Sequence, residues 1–450
     1  MTEGLEAATV RYTRRPVESK KGITARDVIL ALALMLLGLG LRLWDVGQPA
    51  KLYFDEIYYV DAAEKLWAGQ PDPNSVHPPL GKWLIGLGMK AGDAFLPKTT
   101  PQPLKWRLAS VVSGTLSIGV VYALGLLLFN YNRTAAALAG FIMATEHLHL
   151  ATSRIAMLDP MLAFFCLLGM WMALVYFMGG HERWAVGSAF VLGLATGIKW
   201  SGLFTAFGCL VAGYWMQRRA VSRERTVRYF FWLVLLVSLG FLCTYAHLFL
   251  SDGWGAFSKM FSQADRMREF RYDEKQFTHR YLSYFWSWPL VLNPIWLFFE
   301  ENKATKSLEA ICAMGVPTFW WGFTLLLLER AYSAYRTKDP VTGALVILWV
   351  CQWIPWCVST TGGFFYYMLT EVPIMALLVG KLLADLLNFP DALGEGRWRG
   401  WVLLAVYLVG FAVYLPFALG KPAPRSYFNA VFLAKWVEGN KDAVKPAESK

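Results

Sequence analysis

The sequence predicts an all-α, polytopic integral membrane protein, and two observations support this fold class. First, 56% of the 450 residues are hydrophobic and only 17% are charged. A soluble globular chain carries about 25% charged residues and about 45–50% apolar ones. Second, the apolar residues gather in long runs, which is typical of helices surrounded by lipid. This composition excludes a disordered chain, a disulfide scaffold and an ordinary soluble enzyme.

The apolar runs predict about 11 transmembrane helices, because each approaches the roughly 20 residues that cross a bilayer. The runs cover residues 27–44, 108–129, 134–150, 155–178, 184–198, 201–216, 229–250, 308–328, 341–358, 364–387 and 400–419. They divide the chain into an N-terminal segment 1–26, a transmembrane region 27–250 with a first outer loop 45–107, a second outer loop 251–307, a four-helix region 308–419 and a tail 420–450. The apolar stretch 83–89 is too short to span and is expected to lie in the membrane interface.

The charge distribution predicts the orientation of the chain. The net charge of +11 comes mostly from basic residues in short segments between the apolar runs. Segment 217–228 carries five arginines and one acid, which is typical of a cytoplasmic loop. We therefore expect the N-terminus in the cytoplasm, the C-terminus outside, and the basic segments in contact with membrane lipids. No motif indicates nucleic-acid binding, and the six cysteines lack zinc-type spacing.

The first outer loop begins with LYFDEIYYVDAAEKL, in which Asp55 and Glu56 directly follow three apolar or aromatic residues. Removing water from a carboxylate raises its pKa and makes it a better base near neutral pH. The pair is therefore a candidate for general-base chemistry. The alternative from these residues alone is two solvated loop acids.

A second motif, HPPLGKWL at 77–84, follows in the same loop. FDE followed by HPPLGK resembles the protein O-mannosyltransferase family, which are membrane enzymes of the GT-C glycosyltransferase class that use a polyprenyl-phosphate sugar. Three further motifs occur in the order of that family: SRIAMLDPMLAFF at 153–165, KWSGLF at 199–204 and HRYLSYFWSWP at 279–289. The C-terminal third resembles the family more loosely, through IPW at 354–356 and FFYYML at 364–369.

The chain also departs from the family pattern. Many members have an arginine where Asn293 stands, and another in the short loop that reads STTGG here, at 359–363. The second outer loop is too short for the soluble domain that eukaryotic relatives insert there. The resemblance therefore implies a bacterial plasma-membrane protein, and the two missing arginines leave the donor or the acceptor open.

The resemblance implies transfer of mannose from polyprenyl-phosphate mannose to Ser or Thr hydroxyls of an exported protein, with inversion at the anomeric carbon. Asp55 is expected to act as the base, and Glu56 to orient the acceptor or the loop. Cations are expected to bind the donor phosphate: Arg154, Lys199 and Lys82. Further site candidates are His77, Glu146, Asp159, His279 and Tyr366.

Other interpretations of these residues stay open. Arg154 and Lys199 could be interfacial anchors, and Asp159 could belong to a structural ion pair. We expect no metal site, and dependence on a free divalent cation stays open. The protein-export machinery is a candidate partner. The alternative functions are a GT-C transferase that acts on a lipid or cell-wall glycan and, more distantly, a polytopic transporter. A transporter would place ionisable residues near the bilayer midplane, whereas here they cluster in outer loops and at span ends.

Overall fold

The computed structural model describes residues 22–218, 223–272, 281–302, 304–305, 307–388 and 396–432. About 73% of it is helical, which confirms the predicted helical fold class. The N-terminal helices are α1 (Ala25–Leu43), α2 (Glu56–Trp67), α3 (Leu80–Phe95), α4 (Gln102–Leu128), α5 (Arg133–Thr145), α6 (His147–Thr152), α7 (Asp159–Phe177), α8 (Glu182–Thr196) and α9 (Gly202–Gln217). The remaining helices are α10 (Glu224–Trp232), α11 (Ser238–Thr244), α12 (Ala246–Asp252), α13 (Gly255–Tyr272), α14 (Pro317–Thr337), α15 (Pro340–Trp353), α16 (Val372–Leu387), α17 (Arg397–Leu419) and α18 (Arg425–Val431).

Five helical stretches of the described chain are long and apolar enough to cross a membrane: Gln102–Leu128, Asp159–Phe177, Glu224–Thr244, Pro340–Val358 and Arg397–Leu419. Each overlaps a predicted run. Other predicted runs form shorter or interrupted helices. Run 134–150, for example, divides at Glu146 between α5 and α6. The count of 11 spans therefore stays a prediction.

A three-stranded antiparallel sheet is absent from the sequence-based prediction. Strand β1 (Ile295–Asn302) pairs with β2 (Ser307–Ala313), and β2 pairs with β3 (Ala423–Pro424). The start predicted for run 308–328 is therefore wrong, because its first residues form β2 and α14 begins only at Pro317. A short apolar run is compatible with either a strand or a helix, so its periodicity does not separate the two.

The first outer loop folds back onto the helical bundle. The backbone N–H of Leu80, at the start of α3, donates to the carbonyl of Gly197 over 3.0 Å. A Cβ on the neighbouring Gly81 would lie 2.6 Å from a methyl carbon of Leu158, so glycine permits this close approach. These contacts bring the loop against the links before α7 and α9, where the candidate site lies.

Candidate active site

Four chain segments meet around one buried ion pair. The Nζ of Lys199, between α8 and α9, donates to Oδ2 of Asp159 at the start of α7 over 2.7 Å. The same Nζ lies 5.6 Å from the ring centres of both Tyr366 and Tyr367 in a 3₁₀ helix. Asp55, at the start of α2, is close enough for its charge to interact with both members of the ion pair. The structure therefore brings together four of the predicted site residues: Asp55, Asp159, Lys199 and Tyr366.

Asp55 is half-buried at the N-cap position of α2, yet its carboxylate accepts no capping hydrogen bond from that helix. Burial raises the pKa of Asp55 to about 7, while the charge of Lys199 opposes that rise and the charge of Asp159 adds to it. A carboxylate with a pKa near the working pH can accept a proton and still be present in its charged form. Asp55 thus has the properties of a general base.

The backbone is strained immediately before this carboxylate. Phe54 has a φ of 50°, a conformation that a bulky residue rarely adopts. Its ring packs edge-to-face on Tyr366, with 6.1 Å between the ring centres. Strained residues of this kind persist only where surrounding contacts hold them, and they cluster at functional sites. Packing of the Phe54 ring against the tyrosine accompanies the turn that presents Asp55.

Glu56 is fully buried and serves a different purpose from its neighbour. Both of its oxygens accept from Arg107 on α4, over 2.7 and 2.9 Å, and one also accepts from the backbone N–H of Ala156. Arg107 donates as well to the carbonyls of Val46 and Pro49. Glu56 therefore ties the first outer loop to α4 and to the link before α7.

Lys82 is fully buried, and its ammonium is already paired within the first outer loop. Its Nζ pairs with Asp72 and donates to the carbonyls of Asn74 and His77, over 2.7 and 2.8 Å. A lysine ammonium has three N–H donors, so these contacts use them all. The expectation that Lys82 binds the donor phosphate is therefore revised, because Lys82 stabilises the 72–77 segment instead.

His77, another predicted site residue, lies in the same loop. Its ring centre is 6.2 Å from that of Tyr59 on α2.

Arg154 is buried at the ends of two helices. Its Nη1 donates to the carbonyls of Leu41 and Arg42, at the end of α1, and its Nη2 to that of Leu419, at the end of α17. The last carbonyls of a helix have no partner within it, and a basic side chain satisfies them well. The geometry therefore favours a helix-capping role for Arg154 over the predicted contact with phosphate.

Glu146 is buried and caps α6. One oxygen accepts from the backbone N–H of His149 over 2.8 Å, and the other from the indole of Trp320 over 3.0 Å. His279 falls outside the described residues. Within the described chain, no cluster of three His, Cys, Asp or Glu side chains could hold a metal ion.

Large aromatic rings pack beside the ion pair. Tyr367 stacks on Trp356 with 4.4 Å between ring centres, and Trp288 lies about 6 Å from both rings. Phe204, two residues into α9, meets Trp356 edge-on at 5.4 Å. Through Tyr367, which lies 5.6 Å from the Lys199 ammonium, this aromatic cluster adjoins the ion pair.

The sequence comparisons with known proteins all find relatives of one kind. Residues 32–250 match the family model described as dolichyl-phosphate-mannose-protein mannosyltransferase. The polyprenol-phosphate-mannose–protein mannosyltransferase of Mycobacterium tuberculosis is 23% identical, over 94% of this chain and 93% of its own length. That of Mycolicibacterium smegmatis is 23% identical, over 94% of each chain. Residues 32–250 of this chain are thus similar to the protein O-mannosyltransferase family, and the bacterial relatives extend the similarity over nearly the whole chain.

Two solved structures of membrane enzymes share the fold of this chain. The protein O-mannosyltransferase Pmt1-Pmt2 complex of S. cerevisiae, bound to the sugar donor, superposes with a TM-score of 0.74 at 13% identity, over 92% of this chain and 93% of that one. ArnT from Cupriavidus metallidurans, bound to undecaprenyl phosphate, gives 0.51 at 18% identity, over 87% and 64%. The predicted GT-C fold is thereby confirmed.

Sequence reasoning missed two residues of this candidate site, Arg107 and Tyr367. Arg107 stands just before the apolar run 108–129, where a basic residue is expected at any membrane boundary. Arg107 is instead fully buried, as the partner of Glu56, and no local sequence pattern predicts that burial. Tyr367 belongs to the FFYYML motif, and only the fold shows that both tyrosines of the motif approach Lys199.

Proposed function

We propose that the chain is an inverting, lipid-phosphate-sugar-dependent glycosyltransferase that moves mannose from polyprenyl-phosphate mannose to Ser or Thr hydroxyls of exported proteins. The observation that carries the proposal is the Asp55 carboxylate, which lacks a capping hydrogen bond and lies within charge-interaction range of the Lys199–Asp159 pair. The family match and the names of the bacterial relatives support the same chemistry.

In the proposed reaction, Asp55 accepts the proton of the acceptor hydroxyl as its oxygen attacks the anomeric carbon. A bond forms between that oxygen and the carbon, while the bond from the carbon to the phosphate oxygen breaks on the opposite face. The lipid phosphate leaves with the electron pair, and the Lys199 ammonium stabilises its growing negative charge. Because a phosphate leaves readily, a second carboxylic acid is unnecessary, in contrast to glycoside hydrolysis.

The other predicted residues take supporting roles in this proposal. Asp159 positions the ammonium of Lys199, and Tyr366 with Tyr367 lies against that ammonium. Glu56 fixes the loop that carries Asp55 rather than contacting the acceptor. Lys82 stabilises the 72–77 segment of the same loop.

The test is direct transfer by the purified full-length protein. The protein in detergent is incubated with polyprenyl-phosphate mannose and a Ser/Thr-rich peptide, and the peptide mass is followed. A gain of one hexose in the wild type, lost in Asp55→Asn, supports the proposal. Transfer to a lipid or glycan acceptor with an unmodified peptide would instead support a GT-C transferase of different acceptor class, as the departures at Asn293 and 359–363 allow.

A further inference from the structure

We propose that a groove between α9 and α10 binds an anionic glycerophospholipid, separately from the sugar donor. The groove has a volume of about 560 Å³. Its apolar side chains are Leu210, Val211, Tyr214, Val227, Phe230 and Phe231. Phe231 is 66% exposed and Val227 is 52% exposed, so this surface has no protein cover within the described chain. An acyl chain fits such a lining.

A cation lies beside the groove, next to the lining residue Tyr214. The guanidinium of Arg223, the N-cap of α10, lies 4.5 Å from the ring centre of Tyr214. It makes no ion pair or hydrogen bond with any residue that the structure describes. Its neighbours are already engaged: Arg228 pairs with Glu182 and Glu224, and Arg225 donates to backbone carbonyls. Arg223 can therefore offer its guanidinium fork to a phosphate.

The surface of the groove is apolar. Thr226 also lines it, but its Oγ1 is buried and does not open into the groove. Headgroup recognition therefore depends on Arg223, while the apolar side chains of the groove contact the acyl chain.

The groove is remote from the proposed catalytic residues. α9 begins beside Lys199, whereas the groove uses Leu210, Val211 and Tyr214 in its second half. A helix of 16 residues is about 24 Å long, so the two places lie toward opposite ends of α9. In the orientation that segment 217–228 predicts, the groove faces the cytoplasmic leaflet. Its lipid is thus a different molecule from the donor.

The test measures lipid retention by native mass spectrometry of the full-length protein, with phosphatidylglycerol and phosphatidylcholine as probes. We expect the wild type to retain phosphatidylglycerol in preference to phosphatidylcholine. Arg223→Gln should weaken that binding about tenfold or more, since a hydrogen bond to a charged group is lost. Thr226→Val removes a hydroxyl that does not open into the groove, so it should retain wild-type binding. Arg228→Gln is the matched control, because that arginine is already paired, and it should retain wild-type binding.

Several results would overturn the proposal. Equal retention of the two lipids, or an Arg223→Gln variant that behaves like Arg228→Gln, would show that no headgroup is recognised. A dimer that dissociates on Phe231→Ala, with no bound lipid, would show that a second copy covers the groove. Thermal unfolding and mannosyl transfer of each variant exclude misfolding as the cause. Neither probe is the sugar donor, so the lipid-retention test gives a result whether or not the protein has the proposed transferase activity.

Discussion

At the scale of single residues, Asp55→Asn gives the sharpest test of the proposed chemistry. The amide keeps the size of the carboxylate but cannot accept a proton, and general-base assistance contributes about 10²- to 10⁴-fold to a rate. We expect initial transfer rates to fall at least about a hundredfold, with unchanged donor affinity and thermal stability. The matched control is Asp61→Asn, because Asp61 lies on the same helix but pairs with Lys65. Near-normal transfer by Asp55→Asn would show that the base is another residue.

The pH dependence follows from the environment of the same carboxylate. Because burial raises the pKa of Asp55 to about 7, the base is protonated and inactive below that pH and active above it. We expect kcat/KM to rise with pH, with a midpoint at about pH 7, and to level off above it. Asp159→Asn removes a negative charge that raises this pKa, so the midpoint should move to lower pH. A midpoint unmoved by this substitution would contradict the assignment of the titrating group to Asp55.

Glu56 should show a stability defect, in contrast to its neighbour. Glu56→Gln leaves Arg107 buried without its counter-charge, and breaking a buried pair in this way costs about 3–5 kcal/mol. We expect a large fall in the thermal midpoint. Adding Arg107→Gln should recover part of the loss, since no unpaired buried charge then remains. Should Glu56→Gln keep full stability and lose all transfer, Glu56 rather than Asp55 would be the catalytic carboxylate.

At the scale of helices and links, Arg154→Ala distinguishes the phosphate contact predicted from the sequence from the helix-capping role that the structure favours. Arg154→Ala leaves carbonyls at the ends of α1 and α17 without a donor, at about 1–3 kcal/mol for each buried group. We expect lower thermal stability with unchanged donor affinity for the folded protein. Thermal unfolding and donor titration measure the two effects separately. Weaker donor binding at unchanged stability would instead restore the phosphate-binding role that the sequence suggested.

The elements themselves were predictable to different extents. Hydrophobic runs located α4, α7 and α17 closely, because long apolar stretches have one stable form in lipid. The start of run 308–328 was wrong because these residues pair with the neighbouring strand β1 and the distant strand β3, and an apolar run alone does not show such pairing. The motifs contain Asp55 and Lys199, which the fold brings near each other. The carbonyls that Arg154 contacts belong to α1 and α17, far away in the chain, so no local pattern predicts them. Those that Lys82 contacts lie five and eight residues before it, but only the folded loop shows that they face its ammonium.

At the scale of the whole molecule, the four described arginines near 217–228 lie at the end of α9 opposite Lys199. If that end is cytoplasmic, the catalytic residues face outward, where an exported acceptor would reach them. With an inside N-terminus and an odd number of spans, the C-terminus also lies outside. We therefore expect a C-terminal alkaline phosphatase fusion to be active and a green fluorescent protein fusion to be dark.

A fusion placed directly after Arg218 supplies the control, because it should report the cytoplasm: fluorescent with the green protein, inactive with the phosphatase. Reversed signals at both positions would overturn the orientation and place Asp55 and Lys199 at the cytoplasmic face, out of reach of an exported acceptor. A cytoplasmic signal at both positions would keep the orientation of α9 but require an even number of crossings after Arg218. Run 364–387 would then be the first to reassign, because its α-helix, α16, has only 16 residues, fewer than the roughly 20 that cross a bilayer.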